Sequence, residues 1–361
     1  MRIAIIGGGI AGVSAAAALS PFGEVVVFES ESALGTHASG RSAAMYVENY
    51  GNEAVWTLTR AARAYHEAEG VLSPRGVMTV GFEADADTFD ADIAEMAFQE
   101  ISVEQARARV PILSPDLTRA AVYEDVLEID TDRLIQGFHR RARANGATFL
   151  TNAKVSHVER GDTWRIRAGD HEVTVDIVVN AAGAWADQVA CLAGVAPVGL
   201  QPYRRSMARL PAPGGYNTRS WPMVFGPGES WYAKPDAGGW IVSPADEDPS
   251  EPMDAWADDM VLAEGLARYE AYVTEPVTRV ETSWAGLRTF APDRSLVIGE
   301  APDAPGFYWL AGQGGYGMQT APSATAMLAA LVKGKEPDLP GAVVQALLAG
   351  RFMGDQAKSG V

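Results

Sequence analysis

The sequence contains very little cysteine and histidine, and this scarcity limits its chemistry. Its 361 residues include one cysteine, Cys191, and five histidines. A single cysteine excludes an internal disulfide framework and is typical of a reducing compartment. The histidines and the cysteine show none of the spacings that metal sites use, so we expect no bound metal.

Long apolar runs and basic character are also missing. No stretch of about eighteen apolar residues occurs, so no transmembrane segment is predicted. Lys and Arg number 29 against 46 Asp and Glu, and the net charge of −17 disfavours nucleic acid and anionic membranes as partners. The apolar start is broken by Gly7–Gly9 and shows no targeting pattern. We therefore expect a cytoplasmic protein of about two domains.

The first thirty residues carry a nucleotide-binding pattern. Arg2–Ile6 is rich in Ile and predicts a buried parallel strand. Ala11–Leu19 consists of small, helix-favouring residues, and Val25–Phe28 predicts a second strand that ends in an acid. This order of strand, glycine turn, helix, strand and acid is typical of a dinucleotide-binding unit.

Three glycines connect the first strand to the helix in the G-x-G-x-x-G spacing. Gly7 allows the tight turn, Gly9 lets a pyrophosphate approach the backbone, and Gly12 lets helix and strand pack closely. Glu29 stands where a carboxylate accepts hydrogen bonds from ribose hydroxyls and disfavours NADP. An ordinary glycine-rich turn is the alternative, and at this point both FAD and NAD remain open.

A second glycine cluster near the C-terminus favours FAD. Gly312–Gly317 follows the predicted strand Phe307–Leu310 and precedes the predicted helix Met318–Val332. This arrangement offers a second helix N-terminus with free N–H groups. Such donors suit a flavin carbonyl that becomes anionic on reduction, whereas NAD has no need of them.

The segments between the two glycine clusters predict a second domain. Residues 201–242 contain short strands, Pro and Gly turns and many aromatic residues, which favour a packed antiparallel sheet. Residues 85–100 are acidic and predict a solvated helix. We therefore predict an α/β fold with a Rossmann-like FAD-binding domain and a mainly antiparallel-sheet substrate domain. The first comprises residues 1–50, 130–195 and 291–361, and the second comprises 51–129 and 196–290.

The chain resembles the FAD-dependent oxidoreductases of the D-amino-acid oxidase, glycine oxidase and sarcosine oxidase superfamily, and within it the D-arginine dehydrogenase subgroup. The motifs that carry the resemblance span the chain. They are THASGRSAA (36–44), Tyr50-Gly51, DTDRLIQG (130–137), VVNAAGAWAD (178–187), GLQPYRRS (199–206), SWYAKPDAG (230–238), SWAGLRTF (283–290) and AGQGGYGMQT (311–320).

The resemblance implies a substrate site above the flavin ring. Arg288 and Arg205 match the positions that hold the substrate carboxylate, where a bidentate pair would fix the Cα–H against flavin N5. Tyr50 and Tyr232 match residues that line the same pocket, and Gly315 matches a backbone position near substrate and flavin. From the residues alone, a surface salt bridge and core tyrosines are the alternatives.

The glycine motifs, the irregular loop 33–44 and the resemblance together predict the cofactor contacts. Arg41 and Ser42 in that loop are expected to touch phosphate or flavin. The resemblance also implies that FAD is bound non-covalently. The predicted contacts are Gly7, Gly9, Ile10, Ala11, Gly12, Glu29, Ser30, Ser39, Gly40, Arg41, Ser42, Ala43, Val155, Ala182, Gly183, Trp185, Gly312, Gly314, Gly315, Tyr316, Gly317 and Met318.

Three departures from the subgroup pattern concern the substrate side chain. Val77 replaces the acid that grips a guanidinium, and Met45 and Val47 replace a His and a Thr. Because all three changes remove polarity, we predict weak preference for D-Arg or D-Lys. Neutral or apolar D-amino acids, or a related secondary amine, are expected instead. Glu48 is a nearby acid of unknown direction.

The resemblance implies hydride transfer from the substrate Cα to flavin N5. The imino acid product is then hydrolysed to a 2-oxo acid and ammonia, and the electrons pass to an unidentified acceptor such as a quinone. A glycine- or sarcosine-type oxidase that uses O₂ is one alternative. A non-catalytic flavin subunit for electron transfer and an NAD-linked dehydrogenase are others. No general base is evident, with Tyr50 and water as equal candidates.

Overall fold

Two large sheets organise the molecule, and the computed structural model describes residues 1–96 and 98–352. The part of the predicted FAD-binding domain from 353 to 361 lies outside the described residues. The strands are β1 (Arg2–Ile6), β2 (Glu24–Phe28), β3 (Met45–Tyr46), β4 (Leu72–Pro74), β5 (Val77–Gly81), β6 (Gln99–Ile101), β7 (Arg119–Tyr123), β8 (Leu127–Ile129), β9 (Thr148–Leu150), β10 (Val155–Arg160), β11 (Trp164–Ala168), β12 (His171–Val175), β13 (Ile177–Asn180), β14 (Gln201–Leu210), β15 (Met223–Phe225), β16 (Tyr232–Asp236), β17 (Gly239–Ser243), β18 (Asp248–Pro249), β19 (Thr282–Phe290), β20 (Val297–Ala301) and β21 (Ala304–Ala311).

Helices cover the first sheet and fill the loops of the second. Asn52 caps the second helix through its side chain, and Asp130 caps the fifth. The helices are α1 (Ile10–Leu19), α2 (Glu53–Glu69), α3 (Ala86–Glu95), α4 (Val103–Arg109), α5 (Thr131–Ala144), α6 (Ala186–Leu192), α7 (Asp259–Glu270), α8 (Gly317–Val332) and α9 (Gly341–Leu347).

The first sheet has six strands in the order β20-β21-β13-β1-β2-β9. Strand β1 pairs in parallel with β13 and β2, and β20 joins β21 in antiparallel. Its apolar strands are buried on both faces, by α1, α5 and α8 on one side and by the antiparallel meander β10–β12 on the other. The Rossmann-like half of the prediction is therefore confirmed.

The second sheet has nine strands and is mainly antiparallel, as predicted. Strand β14 pairs along its length with β19, which sets Tyr203 opposite Arg288 and Arg205 opposite Gly286. One face packs on a core that contains Trp221, Trp231 and Trp240. Because side chains alternate along a strand, the other face presents Arg205, Met207 and Tyr232 toward the first sheet.

Helix α2 belongs to the core of the first sheet by packing. Its residues Val55 and Leu58 share a buried cluster with Ile5 of β1 and Leu328 of α8. The predicted division placed all of 51–129 in the substrate domain. We propose to move that boundary to about residue 75 and to keep the rest of the division.

The acidic segment 85–100 differs from its prediction as one solvated helix. Helix α3 ends at Glu95, and β6 then pairs with β7 at the edge of the nine-stranded sheet. Phe89 is fully buried, so the helix is anchored to the domain. The small sheet β3-β8-β4 is not predicted from the sequence, because strands of two or three residues show no periodicity.

Candidate active site

A cavity of about 440 Å³ lies where the two sheets face each other. Its walls come from both glycine clusters, from the loop 35–43, from the segment 181–192 and from β14 and β19. A size of this order is typical of small-molecule and cofactor sites. Among residues 1–96 and 98–352, no group of three or more His, Cys, Asp or Glu side chains is placed to hold a metal ion. Within the same residues, no helix is long and apolar enough to cross a membrane.

The first glycine turn brings backbone donors to this cavity. Gly7 has φ +108°, and a Cβ there would lie 2.4 Å from the carbonyl oxygen of Ala181. A Cβ on Gly12 would lie 1.8 Å from the carbonyl oxygen of Gly7, so α1 and β1 pack at a distance that excludes any side chain. The N-terminus of α1 thereby opens on the cavity, where Ile10 N–H donates to Ser39 Oγ over 2.9 Å.

Glu29 lines the cavity, as expected for the acid of a dinucleotide-binding unit, which accepts hydrogen bonds from a ribose. Its side chain is buried, and Oε2 accepts from the backbone N–H of Gly8 over 2.7 Å. Oε1 accepts from the N–H of Glu31 over 2.9 Å and from the hydroxyl of Ser30 over 3.1 Å. These donors fix the carboxylate at the end of β2, where it faces the cavity.

The second glycine cluster forms the opposite wall. Gly314 N–H donates to the carbonyl of Thr289 over 2.8 Å, and Gly315 and Gly317 line the cavity at the start of α8. Two helix N-termini therefore converge on one space, and both favour negative charge. The phosphates and the reduced flavin ring of the predicted FAD carry negative charge of this kind.

Arg41 lines the cavity, but its guanidinium is largely engaged with protein. It donates to the carbonyl oxygens of Thr36, Ala255 and Ala285 and to Asp254 Oδ1. Four of its five N–H donors are thus used, which leaves one for the predicted phosphate or flavin contact. Its main effect in the structure is to hold the segment around Ala255 against the loop 35–43.

Arg288 contacts both a tyrosine and the second glycine cluster. Its Nη1 donates to Tyr50 Oη over 3.3 Å. A Cβ on Gly315 would lie 3.4 to 3.5 Å from the guanidinium, so the side chain lies directly on that glycine. The ring of Tyr50 packs edge-on against Tyr316 with centroids 5.2 Å apart. Burial, partly offset by Arg288, raises the pKa of Tyr50 to about 12.

Arg205 carries unpaired donors inside the protein. The residue is 7% exposed, and its Nε and Nη1 have no hydrogen-bond partner among residues 1–96 and 98–352. The nearest carboxylate oxygen, on Glu229, lies 4.0 Å from Nη1. Its guanidinium carbon lies 5.8 Å from the centre of the Tyr232 ring. A buried guanidinium with free N–H groups creates a demand for an anionic ligand.

The three departures from the subgroup pattern lie in one apolar cluster beside the arginines. Val47 and Val77 are buried together with Phe225 and Tyr232, and Met45 packs against them. Glu48 does not enter this cluster. Its carboxylate lies 3.7 Å from Arg60 and 4.0 Å from Arg63 on α2.

Most of the predicted contacts line the cavity, and six lie behind its wall. Tyr50, Tyr232 and Tyr316 support the arginines and the second glycine cluster from behind. The other three residues behind the wall are Gly12, Gly40 and Gly312, which contribute backbone and no side chain. The lining set is Gly7, Gly9, Ile10, Ala11, Glu29, Ser30, Ser39, Arg41, Ser42, Ala43, Val155, Ala182, Gly183, Trp185, Arg205, Arg288, Gly314, Gly315, Gly317 and Met318.

The sequence prediction missed several residues of the wall, among them Thr289 and the pair Met253 and Ala255. Thr289 lines the cavity with a buried hydroxyl that has no hydrogen-bond partner in the described part of the chain, and it follows directly on Arg288 in the GLRTF motif. The GLRTF motif therefore contained a signal for Thr289, but the sequence prediction used only Arg288. Met253 and Ala255 also line the cavity, and their irregular segment carries no motif.

The donor set and the space fit an FAD. Of the described residues, none would lie within 4 Å of a Cβ on Gly183, and only Ser39, through its Oγ, would lie that close to a Cβ on Gly9, so both glycines leave open space along the cavity. The acid at one end suits a ribose, and the two helix N-termini suit a pyrophosphate and a flavin carbonyl.

Comparisons with known proteins agree with this geometry. Residues 2–331 match the family model described as DAO, FAD dependent oxidoreductase. The chain is 24% identical to an uncharacterised oxidoreductase of Bacillus subtilis, covering 93% of this chain and 95% of that protein. It is 27% identical to a glycine oxidase of Pseudomonas aeruginosa, covering 93% and 96%. The structure resembles L-proline dehydrogenase from P. horikoshii with a TM-score of 0.81 at 23% identity, covering 98% and 97%.

Proposed function

The chain belongs to the DAO family of FAD-dependent oxidoreductases, and from this premise we propose that it oxidises D-amino acids with neutral or apolar side chains. The observation that carries the proposal is the pair Arg205 and Arg288 at the cavity wall beside Gly315. The buried Nε and Nη1 of Arg205 have no hydrogen-bond partner within the described residues, and a substrate carboxylate would satisfy them.

The apolar cluster supports a neutral side chain. Val47, Val77 and Met45 offer no carboxylate to a substrate cation, and Glu48 pairs with arginines of α2. A guanidinium or ammonium placed against this cluster would lose its hydration without a partner. The D configuration is proposed from the motifs shared with the D-arginine dehydrogenase subgroup.

The residues of the chain would bind and orient the substrate. Arg288 and Arg205 would hold the carboxylate, and because Arg288 lies in close contact with Gly315, the carboxylate would then lie at the second glycine cluster. FAD, when bound, supplies the acceptor for the hydride that leaves the substrate Cα. Because burial raises the pKa of Tyr50 to about 12, its phenol stays protonated at neutral pH, and its oxygen accepts a hydrogen bond from Arg288. The amine proton would then leave to water.

The pH dependence tests this assignment of Tyr50. Its raised pKa keeps the phenol neutral throughout the range from pH 6 to 10. We expect the rate of flavin reduction to rise with pH through the pKa of the substrate amine. The variant Tyr50→Phe should keep that apparent pKa and lower the affinity for substrate. Stopped-flow reduction at several pH values measures both, and loss of the pH dependence in Tyr50→Phe would identify the phenol as the base.

A second candidate is oxidation of glycine, sarcosine or a cyclic secondary amine. It is favoured by the identity to the P. aeruginosa glycine oxidase, and a proline dehydrogenase shares the fold. A small or secondary amine would leave the apolar cluster less filled than a branched side chain. The two candidates differ in which substrate reduces the flavin fastest.

An anaerobic bleaching screen tests the proposal. The purified yellow protein is mixed without oxygen with D- and L-amino acids, glycine, sarcosine and proline, and the loss of flavin absorbance is followed. We expect fastest reduction by neutral D-amino acids. Faster reduction by glycine, sarcosine or proline would favour the second candidate, and no reduction by any amine would overturn both. Peroxide formed in step with product in air would identify an oxidase instead of a dehydrogenase with a quinone-type acceptor.

The substitution Val77→Glu should shift preference toward D-Arg. Val77 is 4% exposed in the apolar cluster, so a carboxylate there would be drawn to a substrate cation. We expect the ratio of kcat/KM for D-Arg over that for D-Leu to rise about tenfold to a hundredfold, on the scale of a charged hydrogen bond. Val77→Gln is the isosteric control and should raise the ratio much less. An unchanged ratio in Val77→Glu would mean that the side chain of the substrate lies elsewhere.

We also propose that FAD is held without a covalent bond. Cys191 is exposed on α6 and does not line the cavity. His37 lines it, but its Nε2 lies 3.2 Å from Glu31 and its Nδ1 3.5 Å from Asp254. Acid precipitation should therefore release all flavin into the supernatant, and flavin in the pellet would contradict this.

A further inference from the structure

We propose that Lys234, through its ion pair with Glu128, is a positioning residue for Tyr50. This inference rests on the proposed function, in which Arg288 holds the substrate carboxylate and Tyr50 supports Arg288 from behind the cavity wall. Lys234 lies outside the cavity wall and would act through the chain that connects it to the tyrosine.

The three charged side chains involved form a compact group, in which Lys234 is buried while the side chains of Arg75 and Glu128 are 11% and 22% exposed. Glu128 Oε1 accepts from Lys234 Nζ, and Oε2 accepts from Arg75 Nη2 and, over 3.1 Å, from Arg75 Nε. Lys234 is 4% exposed. Arg75 also donates to the carbonyls of Arg219 and Trp221 over 2.8 and 2.9 Å. Each charge is therefore paired and at least partly shielded from water, which favours a fixed geometry.

The electrostatics keep Glu128 ionised. Burial raises the pKa of its carboxyl, but Lys234 and Arg75 more than offset this and hold it below the usual range. The group therefore carries one negative and two positive charges. Removal of Lys234 leaves Glu128 paired with Arg75, so no charge is left without a partner.

The topology makes this group a connection between two parts of the candidate site. Glu128 lies opposite Met45 in the pairing of β8 with β3, and the chain runs from β3 directly to Tyr50. Lys234 follows Tyr232 by two residues on β16, so both side chains lie on the same face of the sheet. The ion pair therefore ties β8, which is the pairing partner of the strand before Tyr50, to β16, which carries Tyr232.

A tie at this place controls the geometry of the arginine site. The hydrogen bond from Arg288 to Tyr50 is 3.3 Å long, so a small shift of the 45–50 segment would break it. The segment has another anchor in Val47, whose N–H donates to Gln319 Oε1 over 3.2 Å. The loss of Lys234 should thus loosen the segment without detaching it.

A double-mutant cycle in the FAD-loaded protein tests the inference. We expect Lys234→Met to weaken substrate binding, measured as Kd in anaerobic stopped-flow reduction, about tenfold. In the Tyr50→Phe background the same change should weaken binding less than about twofold, because the tyrosine hydroxyl through which it acts is gone. Equal effects in both backgrounds would overturn the inference, since a general structural role predicts additivity.

Two further variants serve as controls. Lys234→Arg keeps the cation and should restore most of the affinity, whereas an arginine variant as weak as methionine would contradict a role for the ion pair. Arg165→Met removes an ion pair with Glu159 at the surface of the meander, and we expect it to leave Kd unchanged.

Hydrogen exchange separates this inference from the proposed function. In Lys234→Met, peptides that cover residues 45–50 should exchange faster than in the wild type, and peptides from the meander 155–175 should not change. This readout needs no substrate. If no amine reduces the wild-type flavin, the proposed function fails while the exchange experiment still decides whether Lys234 holds the segment, and unchanged exchange in 45–50 would overturn it.

Discussion

Replacing Arg288 with methionine is expected to raise KM for the amino-acid substrate about 100- to 1000-fold while FAD stays bound. The loss corresponds to about 3 to 4 kcal/mol, the scale of truncating one partner of a buried charge pair. Methionine keeps a long apolar side chain over Gly315, so the shape of the cavity wall is largely retained.

The effect should fall on substrate binding because of where Arg288 lies. Its guanidinium contacts Tyr50 and Gly315, and it borders the cavity beside Arg205. In Arg288→Met, Arg205 alone would face the carboxylate, and the orientation that two guanidinium groups impose would be lost. A reduced rate of flavin reduction at saturating substrate should accompany the higher KM.

Arg294→Met is a matched control for this experiment. Arg294 pairs with Glu247 and does not line the cavity. Its guanidinium carbon lies 3.8 Å from the centre of the Phe290 ring. We expect its KM to stay within about twofold of the wild type, as for most surface substitutions. Steady-state kinetics and flavin absorbance measure both variants. An unchanged KM in Arg288→Met would mean that the carboxylate binds elsewhere.

Replacing Gly12 with alanine is expected to abolish FAD binding. The added Cβ would lie 1.8 Å from the carbonyl oxygen of Gly7, which is backbone and cannot rotate away as a side chain can. Gly7 itself has φ +108° and is held against Ala181, so the turn cannot yield either. Helix α1 would have to move off β1, at a cost of about 3 kcal/mol or more.

The ratio of flavin to protein absorbance and the unfolding midpoint test this prediction. Gly341→Ala is the control, because a Cβ at Gly341 at the start of α9 would meet nothing within 4 Å. We expect that variant to keep its flavin and its midpoint. Wild-type flavin content in Gly12→Ala would show that the contact of α1 with β1 is not needed to form the site.

The sequence predicted the cofactor half well because its signals are local. The order β1, glycine turn, α1 and β2 follows from residues that are neighbours in the chain. Its failures are also local in origin. The prediction of a solvated helix over residues 85–100 used only their charge. Phe89 is in fact buried and β6 pairs with β7, and charge does not predict either contact.

For the candidate site, the sequence named most side chains but not their partners. Arg41 was expected at phosphate or flavin, yet its guanidinium holds Ala255 and Ala285, which lie more than two hundred positions away. The direction of Glu48 was open, and the structure turns it to Arg60 and Arg63. Such pairings depend on how distant segments pack, which no local pattern encodes.

By itself the sequence determined the cofactor class and the architecture, because glycine spacing and strand and helix periodicity act over a few residues. Only the tertiary structure decided the substrate site. The pairing of β14 with β19 brings Arg205 beside Arg288, and β3 delivers Tyr50 to the same place. It also buries Lys234 on Glu128, a contact across 106 positions. These arrangements arise from the register of strands far apart in the chain, and that register is set by the packing of the whole molecule.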